Sequence, residues 1–508
     1  MSRGPSAVVQ GRSGVLWRDC GDGLQCGTLS VPGDWGRPGG IRTEVNLARM
    51  PARDPYRSLG ALVVNTGAAS TVQDVRARPD TVEELTRWFD VVLMEPRGVG
   101  ERGGGGAVRC SVPPPDPRLL QLTSRRASWR SYARKNAAYG RSCRIAAGPA
   151  YGGLTVRQAA YDLDALRAAL GEQRLRYFGS GDGAVYGQAY LERFPRRVER
   201  MYLEGVPDVG EASLERRMAD RAHAAERRLA YFRDWCRDRL GCPLDDDAFR
   251  VLDDLYERAP LPAGPGRRLD ARGVAAAVYA GLDPQRWPEL ARALSQAEQG
   301  DAGALSALTA VPVRPAALPT QEAPPPLWPG ATGPDEAGSS AAGPGAVGPE
   351  PVPGVGGVVT RAARCGEFAA AVPDYRVFLE MEKRLRAVAP RVGWLAGREE
   401  VARCLGLPGP GAIRPFAVSR LPKGASVLIG IGRLDSVSPA GGSQRVAASI
   451  PGVTVLRHGD GHDAYLLQGA AKLRAACLRT HVHDFLVNGV RPKPRTFCPG
   501  ELAEVAEP

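Results

Sequence analysis

Continuous apolar runs and helical periodicities alternate along this chain. Leu62-Val63-Val64-Asn65, Val91-Val92-Leu93-Met94-Glu95 and Ser426-Val427-Leu428-Ile429-Gly430-Ile431 show no polar alternation. Such runs are expected of parallel strands covered on both faces. Shorter runs at 174–178, 198–203 and 453–457 read as further strands. Between them, residues 155–171 carry apolar side chains three and four apart and close on Gly171, which predicts a helix with a glycine stop. Residues 184–194, 214–240 and 367–389 also read as helices; the second carries Met218, Ala222, Leu229 and Phe232 among arginines and acids. The fold class is therefore α/β, a mostly parallel sheet flanked by helices. The first two strands end in loops of small residues, where open α/β sheets place their crevice. Residues 312–358 are rich in Pro, Gly and Ala with few apolar anchors, and read as a disordered or extended insertion. There is no internal repeat.

The most specific local signal is Tyr177-Phe178-Gly179-Ser180-Gly181-Asp182-Gly183, set between a strand and a helix. Strand, tight glycine-rich turn and helix form the context of a nucleophile elbow, G-x-Nu-x-G. Gly179 and Gly183 take the flanking positions, and Gly181, which has no side chain, takes the nucleophile's. Ser180 would be flanked by Phe178 and Asp182, both too bulky for the turn. Asp182, between the small Ser180 and Ala184, is the better rival. With Asp162-Leu163-Asp164 and Leu170-Gly171 upstream and Phe194-Pro195 and Glu204-Gly205-Val206-Pro207-Asp208 downstream, this region resembles the α/β-hydrolases of the actinomycete tripeptidyl-aminopeptidase and proline-iminopeptidase group. Counting back from Phe194-Pro195 without a gap places that family's serine on Gly181.

The resemblance extends to both ends. Residues 17–35 are similar to the family's N-terminal W-x-x-C and VP-x-D-W pattern. Gly432-Arg433-Leu434-Asp435-Ser436-Val437-Ser438-Pro439 resembles the loop bearing the triad acid, which implies that role for Asp435. Gly459-Asp460-Gly461-His462-Asp463 resembles the turn bearing the catalytic histidine, His462. Nucleophile, acid, histidine is the chain order of this fold. Val64-Asn65-Thr66-Gly67-Ala68-Ala69-Ser70 stands where the family has its oxyanion loop, so Gly67 and Ala68 are the expected amide donors. Glu95-Pro96-Arg97-Gly98-Val99-Gly100 matches the family's D-P-R-G-x-G turn and is read as a structural loop beneath the site. His223, His458, His481 and His483 are read as surface or packing residues. The resemblance implies an α/β-hydrolase fold with a helical lid: core at 1–208 and 421–508, lid at 209–420 including the insertion.

Composition narrows the partners. The 508 residues carry a net charge of +12, almost wholly from arginine, since Lys135, Lys383, Lys423, Lys472 and Lys493 are the only lysines. The basic residues are scattered among acids, whereas nucleic-acid binders cluster them, so no nucleic-acid partner is expected. No run reaches the length of a membrane helix. Ten cysteines, Cys20, Cys26, Cys110, Cys143, Cys236, Cys242, Cys365, Cys404, Cys477 and Cys498, allow many pairings, and the resemblance favours joining them in sequence order. No C-x-x-C pattern suggests zinc, and neither metal nor cofactor is expected. Bridges imply an oxidising compartment and secreted ancestry, yet residues 1–11 lack the apolar core of a signal peptide; the compartment stays open.

Three functions fit these residues. The first is a re-purposed enzyme in which His462, oriented by Asp435, works as acid or base on a small-molecule or peptide substrate. Bond formation in actinomycete natural-product biosynthesis, for which relatives of this fold are used, is one such role. The second is a catalytically inactive ligand-binding homologue. The third is residual peptide or ester hydrolysis through Asp182 or an activated water. An acyl-enzyme route needs an attacking hydroxyl and a prepared oxyanion hole, and the first is missing.

Overall fold

Ten strands form one twisted sheet in the order β1-β2-β3-β5-β4-β6-β7-β10-β11-β12. They are β1 (Arg18–Asp19), β2 (Gln25–Pro32), β3 (Arg42–Met50), β4 (Ala61–Asn65), β5 (Asp90–Met94), β6 (Leu175–Ser180), β7 (Val198–Glu204), β10 (Ser426–Gly432), β11 (Thr454–His458) and β12 (Phe497–Cys498). A separate antiparallel pair, β8 (Leu261–Pro262) and β9 (Arg268–Leu269), lies among the helices between β7 and β10. Strands β1, β2 and β3 pair antiparallel with one another, as β3 does with β5. Every later pairing is parallel. The continuous apolar runs are the central strands, and β4 is buried at every residue. The meander before β4 escaped the sequence reading, because alternating strands such as Arg42–Met50 mix exposed and buried positions. The structure, a computed structural model, describes residues 14–100, 106–244, 247–309, 357–410, 412–418, 420–502 and 504.

Helices cover both faces, and the first five are α1 (Thr71–Ala77), α2 (Arg126–Ala147), α3 (Val156–Ala169), α4 (Asp182–Arg193) and α5 (Leu214–Arg237). Three of these starts follow capping chemistry: Ser70 accepts from the Gln73 amide, Thr155 from Gln158 and Ser213 from Arg216. Met218, Ala222, Leu229 and Phe232 of α5 are buried as the periodicity required. The expected helix over 367–389 is instead two, Gly357–Phe368 and Tyr375–Val388. Pro373 lacks the amide hydrogen a continuous helix needs, and Asp374 caps the second helix by accepting from Arg376 and Val377.

The strand order, with parallel strands on one side of an antiparallel meander, agrees with the expected α/β-hydrolase fold. The described residues between β7 and β10 are mostly helical and supply most of two apolar cores, one of which also takes in Leu434 and the other Leu120, Trp129 and Tyr132. All the described residues fall in one compact unit. The expected insertion lies outside them except at its last two residues, which begin the helix Gly357–Phe368. Five disulfides join Cys20–Cys26, Cys110–Cys143, Cys236–Cys242, Cys365–Cys404 and Cys477–Cys498, in sequence order. Among the described residues, no helix is long and apolar enough to cross a membrane.

Candidate active site

The turn from β6 into α4 puts Gly181 at its tip, with φ +50° and ψ −114°. A left-handed φ of this kind strains any residue with a Cβ and suits glycine. The flanking glycines are demanded by close approach: a Cβ on Gly179 would stand 2.6 Å from the Gly183 carbonyl oxygen, and one on Gly183 2.3 Å from that of Asn65. The Gly181 amide donates to the Glu204 carbonyl at 3.1 Å, tying the tip to β7. A Cβ at Gly181 would lie 3.2 Å from His462 Nε2. The tip of the bend thus faces the imidazole, and it carries only hydrogen.

His462 and Asp435 come from the loops after β11 and β10, and Nδ1 of the ring lies 3.0 Å from Asp435 Oδ2. The other oxygen, Oδ1, accepts from the Val437 and Ser438 amides at 2.9 and 2.7 Å. Burial opposes ionisation of Asp435, but His462 and these donors outweigh it and hold the carboxyl below its ordinary value. Arg228 of α5 adds its charge, donating to the neighbouring Ser436 hydroxyl at 3.0 Å.

A second carboxylate, which the sequence reading passed over, closes the other side of the ring. Asp463 Oδ1 lies 3.3 Å from His462 Nε2. The same oxygen accepts from the hydroxyl of Ser180, which is fully buried and 3.3 Å from Glu204 Oε1. One hydroxyl proton cannot serve two anions. Burial, with the Asp463 charge beside it, pushes Glu204 up to about 7, so a protonated Glu204 can in turn donate to Ser180. Tyr202 Oη and the Tyr465 amide both donate to Glu204 Oε2 at 3.0 Å. Enclosure likewise raises Asp463, against the pull of the His462 charge and the Ser180 hydroxyl. Burial disfavours charge on the imidazole as well, yet Asp435 and Asp463 prevail and push His462 up to about 9. With that shift the imidazole keeps its proton at neutral pH, flanked by the carboxyl groups of Asp435 and Asp463.

Gly205 makes room for that ring. A Cβ there, at φ +53°, would stand 2.6 Å from His462 Cε1 and 2.7 Å from Nδ1. Gly205→Ala is therefore expected to drive the imidazole off Asp435 while the rest of the protein folds. An NMR titration of the histidine ring should show the His462 pKa falling towards the ordinary 6.5.

Asp182 opens α4, and its carboxylate is bound by Arg364 of the helix Gly357–Phe368 rather than by the imidazole. The Gly67 amide donates to Asn65 Oδ1 at 3.0 Å, so it is not free for an oxyanion; the side chain two residues back has satisfied it. The Ala68 amide has no partner among the described residues. Glu95, as expected of a structural turn, is buried and accepts from the Thr71 and Val72 amides at 3.0 and 3.1 Å, capping α1. His458 is a packing residue, buried beneath Gly432. Beside the elbow opens a cavity of about 330 Å³, bordered by Asp182, Pro207, Arg364, Phe368, Ser438 and Arg445. Among the described residues Cys477, His481 and Cys498 could approach one metal ion, but the two cysteines are joined in a disulfide.

Known proteins resemble the chain in part. Residues 393–498 match the family described as TAP-like protein. Over 303 residues the chain is 28% identical to the serine protease Hip1 of Mycobacterium tuberculosis, covering 54% of this chain and 56% of that one. It is 31% identical over 307 residues to carboxylesterase B of the same species, covering 56% and 57%. To the tripeptidyl aminopeptidase of Streptomyces lividans it is 31% identical over 219 residues, 40% of each chain. The chain spans about half the length of the curated relatives it matches.

Proposed function

Because this is an α/β-hydrolase-fold protein with a TAP-like C-terminal segment and peptidase and esterase relatives, we propose that it is an enzyme departed from serine-dependent hydrolysis. His462, oriented by Asp435, performs acid–base chemistry on a small-molecule or peptide substrate held in the cavity beside the elbow, with no acyl-enzyme. The described residues of the expected lid, 209–420, serve as the lid over that cavity. The observation that carries this reading is the bare tip at Gly181 facing an imidazole that keeps its aspartate. A serine peptidase needs an oxygen at that tip, and there is none. The acceptor of the transferred group is then water or a second substrate, and the latter would make the reaction bond formation of the kind used in natural-product assembly.

With a pKa of about 9, His462 enters the reaction as the acid. It gives its Nε2 proton to a leaving group or a developing oxyanion. Turnover should hold through neutral pH and fall as pH rises through about 9, where the imidazolium is lost. Acid–base assistance of this kind is worth about a hundred- to ten-thousand-fold. We expect His462→Gln to lose turnover by that factor on a panel of tripeptide p-nitroanilides and p-nitrophenyl esters. The native chain should form no adduct with a fluorophosphonate probe by intact mass. Labelling of any serine, or an active His462→Gln, would overturn the reading. Hydrolysis through Asp182 is not proposed, because a carboxylate paired with the Arg364 guanidinium attacks poorly.

One observation favours a second reading, a ligand-binding protein. Nε2 of His462 and the Asp182 carboxylate both find partners within the chain. Absence of turnover on every substrate tried, with ligand binding indifferent to His462→Gln, would support it.

A further inference from the structure

We infer that Asp463 is the catalytic base of this site, taking the proton of the attacking O–H group while His462 acts as the acid. The inference rests on the acid–base reading above and adds the residue that reading lacks, a proton acceptor beside the bare tip.

Four observations meet at Asp463. Its Oδ1 is 3.3 Å from His462 Nε2, the place a triad hydroxyl would hold. The same oxygen lies 3.9 Å from where a Gly181 Cβ would stand, so the carboxylate and the ring both stand beside the bare tip. Asp463 occupies the N-cap of the helix Ala464–Ala470 in the left-handed region, φ +55°, and makes no capping hydrogen bond. An N-cap aspartate ordinarily stabilises its helix by about 1 kcal/mol, and left-handed backbone at a non-glycine residue carries strain and gathers at functional sites. Here the cap is forgone and the strain accepted, with the side chain turned towards the histidine. Finally, 33% of that side chain remains exposed, while the buried Ser180 hydroxyl fixes it from below. A group with only a structural role would need no such opening.

The chemistry balances without a covalent intermediate. An acceptor O–H, from water or a second substrate, gives its proton to Asp463 Oδ1 as its oxygen bonds to the electrophilic carbon. The bond to the leaving group breaks, and that group takes the Nε2 proton of His462. The proton on Asp463 then crosses to the neutral imidazole, which restores the starting state.

Asp463→Asn keeps the shape and removes the base. On the same panel we expect kcat to fall at least a hundredfold with KM changed less than threefold, and the acidic limb of the pH–rate profile, set in the native chain by protonation of Asp463, to vanish. The charged and titratable groups that bear on Asp463 are His462, Asp435, Glu204 and Asp74 of α1, so Asp74→Asn is run alongside and should leave the limb in place. Asp463→Glu should recover part of the rate. A folded Asp463→Asn, verified by circular dichroism, with native kcat or an unchanged acidic limb would overturn the inference. If His462→Gln is inactive while Asp463→Asn is active, only this inference fails. If His462→Gln is active, or the native chain turns over no member of the panel, the underlying reading fails and this one with it.

Discussion

Gly181→Ser is expected to turn a chain that gives no fluorophosphonate adduct into one labelled at residue 181. The backbone already holds the elbow conformation, φ +50° and ψ −114°, so the new residue inherits the geometry that presents a nucleophile. The strain of left-handed backbone at a residue with a side chain costs about 1–3 kcal/mol, which a sheet buried on both faces tolerates. A Cβ there lies 3.2 Å from His462 Nε2, so the imidazole must give by a few tenths of an ångström. The hydroxyl one bond further out then competes with Asp463 for the ring. Gly181→Ser with Asp463→Ala should therefore label faster than Gly181→Ser alone. Turnover should not follow to the same extent. With the Gly67 amide bonded to Asn65, one oxyanion donor is missing, and such a loss slows acyl transfer by about a hundred- to a thousandfold. Intact mass and peptide mapping read both results. If the double variant stays unlabelled while His462 stays paired with Asp435, the tip is not where a nucleophile belongs.

What the sequence disclosed and what it concealed follow from the range of the interactions. The elbow, Asp435 and His462 stand in short motifs whose spacing is local, and their loops follow apolar strands that are plain to see. The part of Asp463 was hidden although it adjoins His462 in the chain. Its meaning comes from Ser180, nearly three hundred residues earlier, and from Glu204, which no periodicity links to either. Gly205 sat unnoticed in a motif for the same reason, since the ring it accommodates arrives from β11. Arg364 was invisible as a partner of Asp182 because the helix Gly357–Phe368 follows a segment without apolar pattern. The partner of the Gly67 amide is a single side chain two residues away, Asn65, that no spacing rule weighs.

Arg97→Leu should be the most destabilising single change near the site, by about 3–5 kcal/mol, the usual cost of stranding one partner of a buried ion pair. The Arg97 and Asp162 side chains are only 3% and 0% exposed. Beyond its ion pair with Asp162, the guanidinium donates to the Gly33 and Pro32 carbonyls at 2.7 and 2.8 Å, binding the end of β2 to α3. Without it the carboxylate keeps the Trp35 indole N–H at 2.8 Å and little else. A loss of that size is a large part of the about 5–15 kcal/mol that holds most domains. The pH dependence gives a second check. Burial already lifts Asp162 above its ordinary value despite Arg97, and removing the cation lifts it further. A carboxyl raised in the folded state favours folding when protonated. The deficit of the variant should thus be largest at neutral pH and shrink as pH falls towards the raised value. Denaturant midpoints at two pH values test this, and Arg97→Leu with Asp162→Leu should recover most of the loss. Equal stabilities of the single and double variants would show that the buried charge was not the cause. The effect reaches the site as well: Arg97 shares its turn with Glu95, the cap of α1, and α1 begins where the loop over Gly181 ends.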